Sequence, residues 1–324
     1  MALPFSPNSP EESQMDPAPA PLRVPESGPP AGGGAGMRPF FWFAGLLVLA
    51  FSWALIPLAR YVLGEELHSH ILLIPFVSWY LANLDRDRWP AAGPCSPTAA
   101  LLFAIPGAAL LALALMLRTG DAALSHNDFL AAATGSFLCF LWAGGFLLLG
   151  RQRMGAVAFP AAFLIFMIPL PDAVVSTIEH TLVAATSEVV DLFFLLTGVS
   201  FLRDANVFQL AGITLQVAQE CSGIRSSWVL FITSLLASYL FLRNPWHRGL
   251  LVALVIPLGI LRNGFRILVL AQLCIHRGPH MIDSDLHHKG GPIFFALSLI
   301  PLFLLLWWFR RMEAEDKRCR GRSV

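Results

Sequence analysis

Long apolar runs, separated by short polar loops, fill the chain from about residue 38 to residue 310. Runs of 15 to 20 residues are typical of transmembrane helices, because about 20 apolar residues are needed to cross the hydrocarbon core. The run at 70–84 is the shortest. The pattern predicts eight spanning helices, at residues 39–59, 70–84, 99–117, 129–149, 154–171, 222–242, 248–274 and 291–309.

Positive charges occur in five places, and with eight spans all five lie on one side of the membrane. The side that carries the excess of lysine and arginine is normally cytoplasmic. The agreement supports eight spans and puts both termini in the cytoplasm. The five places are Arg38, Arg86 with Arg88, Arg151 with Arg153, Arg243 with His247 and Arg248, and the tail from Arg310 to Arg322.

The segment 172–221 does not fit this pattern. Residues 174–199 carry polar side chains at roughly helical spacing, and counting them as a span would break the charge topology. We therefore predict an amphipathic helix on the outer membrane surface. Residues 200–217 alternate loosely and include β-branched residues, so a short β-hairpin is predicted to lead into Cys221.

The composition supports a membrane protein. Hydrophobic residues make up 56% of the 324 residues and charged residues only 13%, with a mean hydropathy of +0.65, whereas a soluble domain has about 25% charged residues. Basic residues are scattered among short loops, which argues against nucleic-acid binding. We predict an all-α membrane protein with a disordered Pro- and Gly-rich tail (1–37), a polytopic catalytic domain (38–310) and a basic cytoplasmic tail (311–324).

Cys221 is the main candidate for a chemically active residue. It lies where a polar stretch changes into the apolar run from Trp228 to Leu242, at the start of a predicted helix. A helix N-terminus and a nearby cation both favour the thiolate, the nucleophilic form of cysteine. Arg225, one turn further on, is such a cation and also a candidate for binding substrate, although it can equally be a structural partner of Glu220.

The other cysteines give no such signal. The chain has five cysteines and no CxxC pair, and no spacing suggests a disulfide framework. Cys139 and Cys274 lie inside apolar runs, where inert buried thiols are expected.

Arg266 lies inside the apolar run 248–274, where a charge is costly. An arginine at a helix centre costs roughly 2.5–3.5 kcal/mol on insertion scales, so it rarely faces lipid. We favour a role in stabilising an oxyanion. The alternative is a structural salt bridge to Glu179, Glu188 or Asp191.

Further residues are candidates for binding substrate. Arg262 lies one turn deeper than Arg266 on the same helix face, and it either pairs with an acid or binds substrate. Asn263 is a candidate hydrogen-bond partner for the backbone or the substrate. His70 and the pair Glu179-His180 are candidate residues of a substrate groove, although a buried structural role fits the histidines equally well.

The loop 275–290 carries His287 and His288, candidates for the general base that forms the thiolate and then the acid that protonates the leaving amine. The sequence does not choose between them. With eight spans, this loop and Cys221 face the same outer side. His276 and His280 also lie nearby, but the histidine spacing is not a familiar zinc pattern, and we predict no metal site and no cofactor.

Taken together, these residues resemble the exosortase/archaeosortase family of membrane-embedded cysteine transpeptidases. The resemblance covers residues 60 to 305 and is strongest from Met167 to Phe295. It departs from the family pattern after His70, where Ile71 replaces the usual glycine. The stretches that carry it are Ser69-His70 with Pro75, Ile168–Pro171, Leu196–Ser200 followed by Asn206 and Gly212, Glu220–Ser226, Leu261–Ile267, and His287 followed by Gly291.

The resemblance implies that Cys221, Arg266 and His287 form the catalytic set. It also implies the substrates: secreted proteins whose C-terminal signal consists of a short Pro-containing motif, one transmembrane helix and a basic cluster, called PEP-CTERM proteins in bacteria. The implied reaction transfers them through a Cys thioester to an acceptor that remains unidentified. The implied location is the bacterial cytoplasmic membrane, with the active site on the outer, periplasmic face.

Two other functions fit the same residues. In a transporter or channel, Arg262, Arg266 and the histidines would line a polar pathway, since intramembrane charges mark such pathways too. A protease that hydrolyses the thioester would share the catalytic residues and differ only in the acceptor.

Overall fold

The computed structural model of the protein describes residues 37–64, 66–84, 86, 89–90, 93–119, 125–210, 213–217, 223–278 and 291–322. The helices are α1 (Met37–Ala50), α2 (Ser52–Gly64), α3 (Ile74–Leu84), α4 (Pro97–Thr119), α5 (His126–Leu148), α6 (Gly150–Ala156), α7 (Ala158–Phe163), α8 (Asp172–Thr197), α9 (Ile224–Phe241), α10 (Pro245–Arg277) and α11 (Gly291–Arg322). Residues Glu66–Leu72 and Leu164–Met167 form 3-10 segments, and the strands are β1 (Phe201–Asp204), β2 (Val207–Leu210) and β3 (Ile213–Gln216).

The prediction of an all-α membrane protein is confirmed, and the chain is a multi-pass membrane protein. Among the described residues, six helices are long and apolar enough to cross a membrane: α4, α5, α8, α9, α10 and the Ile293–Glu315 part of α11. A seventh span results if α1 and α2, which meet at 73°, count as one. By length and composition the described helices therefore give six or seven spans, where eight are predicted. The predicted N-terminal tail lies outside the described residues, apart from Met37.

Three predicted spans are broken or shortened, and prolines explain the bend of one and the end of another. In the run 39–59, Pro57 cannot donate a backbone hydrogen bond, which weakens the start of α2 next to the bend. The run 154–171 ends its helical part at Ile168, whose extended backbone (φ −75°, ψ 122°) is what a following proline requires. The run 70–84 keeps only the 11-residue α3, about 16 Å long and half of the hydrocarbon thickness.

These short elements pack against each other and against α9. Ile74 of α3, Phe163 of α7 and Ile232 of α9 form one buried cluster, and Phe166 and Trp228 pack against it. The breaks therefore bring the 3-10 segment Glu66–Leu72 close to the start of α9, a contact that continuous spans would not make.

The predicted surface helix is the continuous 26-residue helix α8. Its buried residues recur every three or four positions, as expected of a helix with one packed face: Val183, Thr186, Ser187, Val190 and Phe194. By length and composition α8 also meets the criteria of a span. It ends at Gly198, whose φ of +69° lets the chain turn off the helix.

A three-stranded antiparallel sheet in the order β1-β2-β3 follows α8, where only a two-stranded hairpin is predicted. Arg203 links β1 to α8, because its guanidinium contacts Glu188 at 2.6 Å and Asp191 at 3.3 Å. Two of the carboxylates considered as partners of Arg266 are thus paired with Arg203. The sheet buries Phe208 in a cluster with residues of α8 and α10.

Helices α9 and α10 form an antiparallel hairpin. Asn244 caps α10 by accepting from the Trp246 amide, and Pro245 begins the helix. Because α9 has 18 residues and α10 has 33, α10 extends well beyond the start of α9, and there it packs against α8. At the other end, Glu313 of α11 accepts hydrogen bonds from the Arg243 and Asn244 amides.

We predict that Gly264→Ala lowers stability by about 1–3 kcal/mol, because an added Cβ would lie 2.6 Å from Val189 Cγ1 on α8. Gly249→Ala in the same helix is the matched control, since nothing lies within 4 Å of its Cβ position. Thermal unfolding of the purified protein in detergent measures both variants. Equal midpoints would contradict the close packing of α8 on α10.

Candidate active site

The structure describes six of the eight predicted site residues: His70, Glu179, Arg225, Arg262, Asn263 and Arg266. The predicted nucleophile Cys221 and the predicted base His287, with its alternative His288, lie outside the described residues. Most of the loop 275–290, which carries the other histidines, also lies outside the described residues. The described part of the site begins at Gly223, two residues after Cys221 in the chain.

Gly223 starts α9 in a left-handed conformation, with φ +70° and ψ 17°. Its carbonyl accepts hydrogen bonds from the Ser227 amide at 3.0 Å and from the Ser226 hydroxyl at 3.1 Å. Only glycine adopts this backbone readily. The helix α9 therefore begins at a position that favours glycine.

Arg262 and Asn263 of α10 close the end of the hairpin against Gly223. A Cβ at Gly223 would lie 3.1 Å from both Arg262 Nη2 and Asn263 Oδ1. Arg262 Nη2 donates to the Gly223 carbonyl and to Ser227 Oγ, both at 3.4 Å. Asn263 Nδ2 donates to Thr186 Oγ1 of α8 at 3.4 Å, so this one asparagine links α10 to α8 as well.

Two glycines make this approach possible. A Cβ at Gly259 would lie 2.9 Å from Ser227 Oγ on α9, and the one at Gly264 would overlap Val189 on α8. Small residues at such positions let helices approach closely in membranes. Because Arg262 and Asn263 lie between these two glycines, the pair is held between α9 and α8.

Arg262 is 8% exposed, and its Nη1 has no hydrogen-bond partner within the described part of the chain. Arg266 lies one turn further along α10, on the same face, and is half-buried. The antiparallel register places Arg266 about 6 Å beyond the level of Gly223. Two cations, Arg262 and Arg266, thus lie on α10 near the start of α9.

A cavity of about 330 Å³ opens beside this site, between α8, α9 and α10. Two threonines of α8 line the cavity, but the hydroxyls of Thr177 and Thr181 donate to carbonyls of their own helix. These hydroxyls therefore add little polarity to the cavity wall. Ser227 both lines the cavity and contacts Arg262. The lining residues are Thr177, Ile178, Thr181, Leu182, Ile224, Ser227, Trp228, Phe231, Val255 and Ile256.

Two predicted substrate residues lie at the margin of this site. Glu179 is half-buried on α8; its neighbours Ile178 and Thr177 line the cavity, but Glu179 does not. Arg225 is exposed in the first turn of α9. The structure therefore brings Arg262, Asn263 and Arg266 together more tightly than the other candidates.

His70 is joined to the site through Trp228. The indole Nε1 donates to His70 Nε2 at 3.3 Å, so the imidazole is neutral and carries its proton on Nδ1. The 3-10 segment lies outside the candidate spans, and burial, followed by the nearby His68, lowers the pKa of His70 to about 4. His70 therefore supports the cavity wall as a neutral ring.

Sequence reasoning did not single out Trp228, Ser227 or Thr186. A buried tryptophan N–H needs an acceptor, so Trp228 at the head of an apolar run was a usable signal. Ser227 and Thr186 gave no signal in the sequence, because their contacts to Arg262 and Asn263 depend on helix packing.

We predict that Gly223→Ala lowers stability by about 1 kcal/mol more than Gly198→Ala. Both glycines have nearly the same backbone, with φ of +70° and +69°, so both variants carry the same strain. Only Gly223 has neighbours at its Cβ position, whereas nothing lies within 4 Å at Gly198. Unfolding midpoints in detergent measure the difference, and equal losses would contradict the contact with Arg262 and Asn263.

Comparisons with known proteins agree with the membrane architecture. The family model described as transmembrane exosortase matches residues 62–304, which include every described residue of the site. Searches of curated proteins and of solved structures found no significant match.

Proposed function

The chain belongs to the transmembrane exosortase family, and from this premise we propose that it is a cysteine transpeptidase that processes the C-terminal sorting signal of secreted proteins. Membership of this family and the apolar helices indicate a membrane protein with a role in protein sorting. The cleavage reaction, the PEP-CTERM class of substrates and the surface acceptor are the proposal. The proposed chemistry uses no cofactor.

The observation that carries the proposal is the closure of α9 on α10 at Gly223. Cys221 is joined to Gly223 through a single residue, so their Cα atoms are at most about 7 Å apart. Arg262 touches Gly223, and Arg266 follows one turn later. The proposal places the Cys221 thiol near these two arginines.

The depth of this closure supports an outer-face site. The α9–α10 turn carries Arg243, His247 and Arg248, which the positive-inside rule assigns to the cytoplasm. From that end, the 18 residues of α9 rise about 27 Å, close to the hydrocarbon thickness of about 30 Å. Gly223 then lies near the outer interface, where a substrate anchored by its own helix would present a scissile bond.

In the proposed reaction His287, or its neighbour His288, removes the proton of the Cys221 thiol. The thiolate attacks the peptide carbonyl carbon, and Arg266 stabilises the resulting oxyanion. The tetrahedral intermediate collapses to a thioester as the histidine gives its proton to the leaving amine. A nucleophile of the acceptor then attacks the thioester and restores the thiol; water in this step would give hydrolysis.

We assign supporting roles to the remaining candidates. Asn263 fixes the approach of α8 to α10 and is available to substrate through its amide. His70 supports Trp228 in the cavity wall. Arg225 and Glu179, which lie at the margin of the site, are assigned to contacts with the parts of the signal that flank the cleaved bond.

We predict that Cys221→Ala lowers the rate of signal processing at least about a thousandfold, because no other group forms the thioester. The test is co-expression with a tagged substrate that carries a Pro-Glu-Pro-containing C-terminal signal, followed by the mass of the tagged product. Wild type should shorten the substrate, and the product mass distinguishes an attached acceptor from simple hydrolysis.

The matched control is Cys95→Ala, which removes an exposed thiol away from α9 and should process normally. Processing by Cys221→Ala at the wild-type rate would refute the nucleophile assignment. The transporter alternative predicts instead that wild type does not shorten the substrate, and that its function requires Arg266 but not Cys221.

A further inference from the structure

The guanidinium of Arg262 has donor capacity that its surroundings do not use. Arg262 is 8% exposed, yet among the described residues its Nη1 has no hydrogen-bond partner and no carboxylate forms an ion pair with it. Its Nη2 contacts, to the Gly223 carbonyl and Ser227 Oγ, are both long at 3.4 Å. Burying a cation with an unused donor costs free energy unless an oxygen atom accepts a hydrogen bond from it.

The neighbouring charge makes an anion the fitting acceptor. Arg266 lies one turn away on the same helix face, so two positive charges share a site enclosed by apolar helices. The proposed reaction develops one negative charge, on the oxyanion, and Arg266 is assigned to it. A carboxylate brought by the substrate would supply the oxygen acceptor that Arg262 Nη1 lacks among the described residues.

We propose that Arg262 determines substrate specificity by binding a carboxylate side chain of the sorting signal next to the scissile bond. The inference rests on the proposed function and adds to it a named contact. A carboxylate fits because the planar guanidinium fork offers parallel donors to its two oxygens. The contact of Arg262 with Gly223, two residues from Cys221, puts this carboxylate within a few residues of the cleaved bond.

A purely structural role for Arg262 makes a different prediction. If it only holds Gly223 and Ser227, its removal harms every substrate equally, whatever charges the signal carries. If Arg262 binds a carboxylate, its removal slows the processing of signals that carry that acid. Changing the acid to its amide then no longer alters the processing rate of the variant. The two roles are separated by changing enzyme and substrate together.

The experiment measures processing of signals in which each acidic residue is changed in turn to its amide, the glutamate of Pro-Glu-Pro among them. With wild type, one such change should slow processing about 10- to 100-fold, the range expected for a charge-assisted hydrogen bond. With Arg262→Gln the same change should alter processing less than about twofold. Arg262→Lys, which keeps the charge but loses the fork, should give an intermediate dependence.

Arg153→Gln is the matched control. Arg153 is also buried, at 3% exposure, and its Nη1 also has no partner in the described chain, but it bonds to the Pro90 carbonyl away from this site. It should keep the wild-type dependence on every acidic position. This control separates loss of a carboxylate contact from the general effect of removing a buried guanidinium.

A binding measurement keeps the inference testable apart from catalysis. Cys221→Ala protein in detergent is titrated with the full-length tagged substrate and with its amide variants, with and without Arg262→Gln. The same acidic position should weaken binding only when Arg262 is present. If wild type processes substrate but no acidic position depends on Arg262 in either assay, the inference is overturned and the proposed function stands. If wild type fails to process the substrate but binding depends on Arg262 and one acidic position, the carboxylate contact stands and the proposed reaction is refuted.

Discussion

The contact of Gly223 with Arg262 and Asn263 is the constraint on which the site depends. It sets where α9 begins, because only a glycine in the left-handed region fits against the two side chains. It also sets where α8 lies, since Asn263 reaches Thr186. Removing any of the three would loosen the packing of the α9 start against α10.

The membrane explains why this contact is built from small and polar groups. Between helices in lipid, apolar burial gives little net attraction, so close packing at glycines and interhelical hydrogen bonds hold the bundle together. Gly259 and Gly264 supply the close packing, and Ser227 and Thr186 supply hydroxyls. The same arrangement shelters Arg262, which is buried between these helices.

The sequence predicted most of the membrane helices and the residues at the centre of the site. Apolar run length identified α4, α5 and α9 to α11, and the cost of intramembrane charge singled out Arg262 and Arg266. It missed the breaks at 39–59, 70–84 and 154–171, because run length does not register where a helix bends or stops. The Trp228–His70 bond depends on a partner distant in the chain, which local patterns do not reveal. The positions predicted for Cys221, His287 and His288 stay predictions.

The most direct test of the central claim is detection of the covalent thioester. Wild-type protein is mixed with the tagged substrate, quenched in acid and digested, and its peptides are analysed by mass spectrometry. The proposed mechanism predicts substrate attached to Cys221 through a bond that neutral hydroxylamine cleaves. Accumulation of processed product with no adduct at Cys221, or with the adduct on another residue, would contradict it.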